Sequence, residues 1–131
     1  MAVQLNHTIV HARDADASAR FLSEMLGMAA PRQFGPFVIV DVDNGVSLDF
    51  MTTGPEWDIG IEHYAFLVSD AEFDEIFGRI QERELPYWAD PFNNEPGQIN
   101  HHDGGRGVYW HDPDGHMLEI ITVPYGGWPT S

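Results

Sequence analysis

The chain repeats itself, and that repeat limits what it can fold into more than any other feature. "NHTIV" near the N-terminus returns as "EHYAF", and "NGVSLDF" returns as "DGHMLEI". Each first motif runs on into a segment that opens with Asp and has helical character. The alignment pairs His7 with His63 and Asp49 with Glu119. The spacing between partners widens along the chain because the second half carries a longer central loop, rich in Pro, Asn and Gly, over 86–106.

Both halves read as βαβββ. "QLNHTIVHA" (4–12) alternates as a strand, with His7, Ile9 and His11 on one face. A helix is expected over "DADASARFLSEML", capped by Asp14 or Asp16, burying Phe21, Met25 and Met28, and ending at Gly27. Two strands, "FGPFVIVDV" and "VSLDFM", follow it across a "DNG" turn. In the second half "IEHYAFLVS" is strand-like, with His63, Ala65 and Leu67 opposite Tyr64, Phe66 and Val68. "DAEFDEIFGRIQERE" then reads as a helix capped by Asp70. Phe73, Ile76, Phe77 and Ile80 form its apolar stripe, with acids in the first turn and Arg79 and Arg83 in the last. "GVYWHDP" and "HMLEIITV" close the unit. The expected class is α+β, a single domain over 1–131 made of module 1 (1–54) and module 2 (58–125), joined at "TTGPEWD".

Composition narrows the function. There is no cysteine, so disulfides, thiolate metal sites and cysteine nucleophiles are excluded. Asp and Glu number 21 against 6 Lys+Arg, a net charge of −15 that repels nucleic-acid phosphates and anionic membranes and favours cations. "MAVQLNHTIVHARD" lacks the basic region and apolar run of a signal peptide, and no stretch approaches the roughly 18 apolar residues of a membrane span. A soluble, cytoplasmic protein with no nucleic-acid or membrane partner is expected.

Histidines head the two modules and carboxylates stand in their last strands. Period-two alternation sends Leu48, Phe50, Leu118 and Ile120 to the opposite face. If the polar faces meet, His7, His63, Asp49 and Glu119 converge. Two imidazoles with one or two carboxylates suit Fe(II), Mn(II), Ni(II), Co(II) or Zn(II). Three protein ligands leave positions open for substrate, as catalytic metals need. Any one of these residues is also explained by a hydrogen-bonded structural role, and it is their repeat-related placement that favours a metal site. His116, beside the "DPDG" turn, reads as a turn residue.

"LNHTIVHARDADASARFLSEMLGM", "IEHYAFLVSD" and "GRGVYWHDPDGHMLEIIT" together resemble the vicinal oxygen chelate superfamily of glyoxalases, fosfomycin and bleomycin resistance proteins and extradiol dioxygenases. The resemblance spans nearly the whole chain. It implies a cup-shaped mixed sheet built from paired βαβββ modules, often completed by a second chain, so a homodimer is expected. It also implies metal ligands at His7, His63 and Glu119, with a fourth carboxylate of glyoxalase-like members standing where Asp49 stands. The substrate it implies is a small molecule that chelates the metal through vicinal oxygens.

Three activities fit that frame. For extradiol ring cleavage, Tyr109 precedes Glu119 at the spacing of an active-site tyrosine in such dioxygenases, and His101 and His102 on the adjoining loop offer acid–base groups. For glyoxalase-like lyase or isomerase chemistry, Asp49 serves as a fourth ligand or as the base. Against anionic substrates stand the few cations, of which only Arg106 and Arg32 lie away from the helices. The third activity is non-catalytic, a bleomycin-resistance-like binding protein that sequesters a cationic aromatic drug. The acidic charge and Trp57, Tyr87, Trp88, Trp110 and Trp128 suit it, while the two histidines and Glu119 have no use in it. Trp88 and Trp110 are equally explained as core residues.

Overall fold

β1 (His7–Ala12) sets the pattern for the first half of the chain: Val10 and Ala12 are buried, while His7, Ile9 and His11 alternate with them on the exposed face. The structure, a computed structural model, describes residues 3–129. α1 (Ala15–Leu26) starts where Asp14 accepts the Ala17 N–H at 3.1 Å and ends at Gly27. Its buried face is Ala15, Ser18, Ala19, Leu22, Ser23 and Met25. Of the apolar set expected there, only Met25 is fully buried, and Phe21 and Met28 are half-buried. Small residues on the inner face let the helix lie close against β3 and β4, which pushes Phe21 to the flank.

Three strands follow α1, as the βαβββ order expects, although only two segments carried a strand pattern there. β2 (Arg32–Phe34) ends on the first residue of "FGPFVIVDV" and β3 (Phe37–Asp41) takes its later part, with Phe34 facing Phe37 across a Gly35–Pro36 turn. Gly35 has φ 56, a conformation that a tight hairpin turn needs and that glycine reaches without strain. The "DNG" turn then forms, with the Val42 N–H donating to the Val46 carbonyl, and leads into β4 (Ser47–Thr52).

The second half repeats this order with β5 (His63–Leu67), α2 (Asp70–Glu82), β6 (Tyr87–Trp88), a short 3-10 turn (His102–Gly104), β7 (Gly107–His111) and β8 (Met117–Ile121). The cap of α2 is Ser69, one residue ahead of the expected Asp70. Its hydroxyl accepts the Glu72 N–H while Glu72 accepts the Ser69 N–H, a reciprocal pair that Asp70 has no way to make. Phe73, Ile76 and Ile80 are buried, and Phe77 sits edge-on to Tyr87.

The chain divides into two compact units, one ending at Gly60 and the other beginning at Ile61. Each holds a four-stranded mixed sheet, in the order β1-β4-β3-β2 and β5-β8-β7-β6. In both, the last strand lies at the centre, parallel to the first and antiparallel to the third. This puts Asp49 and Glu119 mid-sheet, where neighbouring strands shield them. No helix among the described residues is long and apolar enough to cross a membrane.

Candidate functional site

The second unit places three of the expected residues together. His63 opens β5 opposite Met117, which sets Glu119 opposite Ala65 on one side and Tyr109 on the other. Glu119 is fully buried, at 0 % exposure, so its carboxylate needs partners that replace water. The His63 Nε2 lies 3.0 Å from Oε1 of Glu119. The second carboxylate oxygen, Oε2, accepts the hydroxyl of Tyr125. With the Tyr125 hydroxyl donating there, its oxygen is left to accept the Tyr109 hydroxyl at 2.8 Å. The Tyr109 ring also stacks on His63, with centroids 5.8 Å apart.

Hydrogen bonding fixes the tautomer of His63. A carbonyl oxygen cannot donate, so at 3.1 Å the Nδ1 donates to Met117 and carries the proton. Nε2 is then the ring atom turned toward Glu119 Oε1, and at that distance a proton or a cation must lie between the two. A proton shared by the pair supplies that link. A divalent ion bound by both atoms supplies it equally. Metal-bound histidines are characteristically held by their other nitrogen to a carbonyl or carboxylate in this way.

His7 has the same tautomer in the first unit, where Nδ1 donates to Asn6 Oδ1 at 2.7 Å and leaves Nε2 free of that bond. The repeat is not carried through to its carboxylate. Asp49 accepts the Ser47 hydroxyl at 2.7 Å, with no hydrogen bond from His7 to match that of His63. Glu119 is one methylene longer than Asp49, and the extra length is what brings Oε1 to its histidine. Within either unit, among the described residues, no third His, Asp or Glu joins such a pair.

His102 lies outside this cluster. It sits on the exposed 3-10 turn, and its ring faces that of Tyr125 at 5.9 Å. His116 closes the "DPDG" turn, its backbone N–H donating to Asp112 at 2.9 Å, and it is also fully buried, with its Nδ1 accepting the Glu62 N–H at 3.0 Å. Trp110 is fully buried as a core residue, whereas Trp88 is half-buried against His111. Tyr125 is the participant that sequence reasoning missed. It lies in "VPYGGWP", in a turn closed by the Gly127 N–H donating to the Pro124 carbonyl at 2.8 Å, with Gly126 and Gly127 at φ 83 and 89. The signal was an aromatic residue set among turn formers directly behind the strand that bears the carboxylate.

The two phenols are hard to ionise. Burial, the bond to Tyr125 and the Glu119 charge push the Tyr109 hydroxyl far above its ordinary range. Burial, followed by the bond to Glu119, pushes Tyr125 up to about 12. Both hold their protons at neutral pH and act as donors.

The cations are committed elsewhere. Arg106 binds Asp74 at 2.7 Å and Asp70 at 3.1 Å and lies over the Phe73 ring. Arg32 pairs with Asp41, Arg20 with Asp16, and Arg13 donates to the Thr53 and Gly54 carbonyls. Arg79 and Arg83 also have partners.

Residues 4–120 match the model of the Glyoxalase/Bleomycin resistance protein/Dioxygenase superfamily. Among solved structures, Oxidase ChaP-H1 is 68% identical with a TM-score of 0.92, over 96% of this chain and 100% of that one. Oxidase ChaP-H2 is 58% identical with a TM-score of 0.93, over 97% and 98%. A curated relative, the glutathione transferase FosA of Serratia marcescens, is 25% identical over 92% of this chain and 81% of its own length.

Proposed function

Because the chain belongs to the Glyoxalase/Bleomycin resistance protein/Dioxygenase superfamily, we propose that it is a divalent-metal-dependent oxidase of a small, neutral or aromatic substrate that binds through vicinal oxygens. His63 and Glu119 hold the metal in this reading, and His7 is proposed as a further ligand on the strength of the repeat alone. The observation that carries it is the His63 Nε2–Glu119 Oε1 pair, 3.0 Å apart, with Nδ1 already committed to a carbonyl. When bound, the metal supplies Lewis acidity toward two adjacent substrate oxygens and electron exchange with dioxygen, the oxidant.

The chain's own groups do the rest. Glu119, stripped of water, brings a carboxyl group whose oxygens must find partners within the site. Tyr109 keeps a donor hydroxyl beside it at neutral pH, and Tyr125 carries that hydrogen-bonded line out toward solvent. Asp49 is a second carboxylate at the repeat-related position, available as ligand or base. His102 reaches the site only through the Tyr125 ring and serves as an acid–base group at its edge.

Oxidation is favoured over lyase or isomerase chemistry by the 68% and 58% identity to two oxidases. A neutral substrate is favoured over glutathione or a phosphonate because the arginines are engaged, Arg106 and Arg32 included. The test is metal analysis of anaerobically purified protein, followed by oxygen uptake with a panel of ortho-dihydroxy aromatics in the presence of Fe(II). Expected is near-stoichiometric divalent metal that is lost in His63→Ala, and uptake that depends on it. A protein that carries no metal, and binds none of Fe(II), Mn(II), Co(II), Ni(II) or Zn(II) on titration, overturns the reading.

A further inference from the structure

We infer that Tyr125 is a positioning residue that fixes which oxygen of Glu119 is offered to a metal. The inference rests on the metal reading above and concerns a residue outside the ligand set. Tyr125 is 54 % exposed, yet its hydroxyl is directed at a carboxylate with 0 % exposure. An exposed tyrosine gains little by hydrogen-bonding a buried acid unless the acid's orientation matters. The hydroxyl takes Oε2, which leaves Oε1 as the oxygen turned toward His63. A carboxylate held in this way would offer Oε1 to a metal while Oε2 stays with the tyrosine.

Three contacts hold the tyrosine itself. Its oxygen accepts the Tyr109 hydroxyl at 2.8 Å. Asp103 accepts the N–H of Gly126, the next residue, at 2.8 Å and so ties this segment to the 3-10 turn. The His102 ring lies against the Tyr125 ring. Tyr125 is thus pinned from the strand, the turn and the backbone, an arrangement that selects one hydroxyl position. Partners of this kind, one step out from the ligands, characteristically change metal affinity by about 10–100-fold when removed.

The experiment is a Co(II) titration of the full chain, comparing wild type with Tyr125→Phe and with Tyr87→Phe, whose ring meets Phe77 instead. Visible absorption reports the coordination of bound Co(II), and thermal unfolding reports the fold. Ring nitrogen NMR of His63 in metal-free protein reports Glu119 orientation without any metal. Expected for Tyr125→Phe is a roughly 10–100-fold loss of Co(II) affinity, an altered visible spectrum and displaced His63 ring signals, while Tyr87→Phe matches wild type. Equal affinity, spectrum and ring signals in wild type and Tyr125→Phe overturn the inference and leave the metal reading standing. Failure of wild type to bind Co(II) overturns the metal reading, and this inference with it.

Discussion

The Nδ1 of His116 accepts the N–H of Glu62 at 3.0 Å, and Glu62 is the residue immediately before His63. The Met117 N–H donates to the Glu62 carbonyl at 2.9 Å, so the start of β5 is gripped from both sides by the start of β8. The register that brings His63 to Glu119 is set here. His116→Phe keeps a ring in the buried site but strands the Glu62 N–H. It is expected to lower stability by about 1–3 kcal/mol. It should also weaken divalent-metal binding by displacing His63. Urea unfolding and Co(II) titration check the two effects, and unchanged metal affinity would remove His116 from any account of the site.

Glu119→Gln separates charge from shape. The Gln oxygen still accepts from Tyr125, and its amide donates to the His63 Nε2 lone pair, so every hydrogen bond in the cluster has a counterpart. Removing a fully buried charge while keeping its hydrogen bonds costs the fold little. The melting temperature is therefore expected to hold or rise, while metal affinity falls by more than the roughly 10–100-fold that loss of a partner one step out from the ligands costs. Calorimetry and metal titration on the same preparation provide the comparison. A large drop in melting temperature shows instead that the charge holds the fold together.

Alkaline titration tests the tyrosine line in metal-free protein. An unfolded tyrosine releases its proton near pH ~10. Native Tyr125 holds it to about 12, and Tyr109 is raised further. Above about pH 10 the unfolded state therefore binds fewer protons than the native state, and stability falls as pH rises through that window. Tyr125→Phe removes part of this difference and should make the alkaline decline shallower. Tyrosinate absorbance, followed with thermal unfolding from about pH 9 to about pH 12, gives the readout. Identical slopes in variant and wild type contradict the hydrogen-bonded state of the Tyr125 hydroxyl.

Much of this was legible before any coordinates. The internal repeat gave the module order because a period-two strand, an acid-led helix and a "DNG" or "DPDG" turn each leave a local mark. The strand face carrying His63 and Glu119 followed from alternation alone. What escaped notice depends on contacts distant in sequence. The β2–β3 break hinges on one Gly–Pro turn inside an apolar run. The inner face of α1 is chosen by how closely small residues let it approach the sheet, which a preference for large apolar side chains misreads. Asp49 and Glu119 look equivalent in the repeat, but one methylene decides which reaches a histidine. Tyr125 was hidden because a turn segment shows no periodicity to say where its side chain returns.

The reciprocal cap of α2 gives a test of the fold that should leave the chemistry alone. Ser69 accepts the Glu72 N–H at 3.1 Å, and Glu72 accepts the Ser69 N–H at 2.8 Å. Ser69→Ala removes the hydroxyl acceptor and is expected to cost about 1 kcal/mol. For a chain of this size that lowers the melting temperature by roughly 3–5 °C. None of the His63, Glu119, Tyr109 and Tyr125 contacts involves α2, so Co(II) affinity and its visible spectrum should match wild type. Ser69→Asp restores an acceptor at the cap and should recover most of the loss. A Ser69→Ala protein that melts normally but binds metal poorly would show that α2 and the candidate site are coupled through packing rather than separable, and the comparison of Ser69→Asp on both readouts would then tell whether the cap itself carries that coupling.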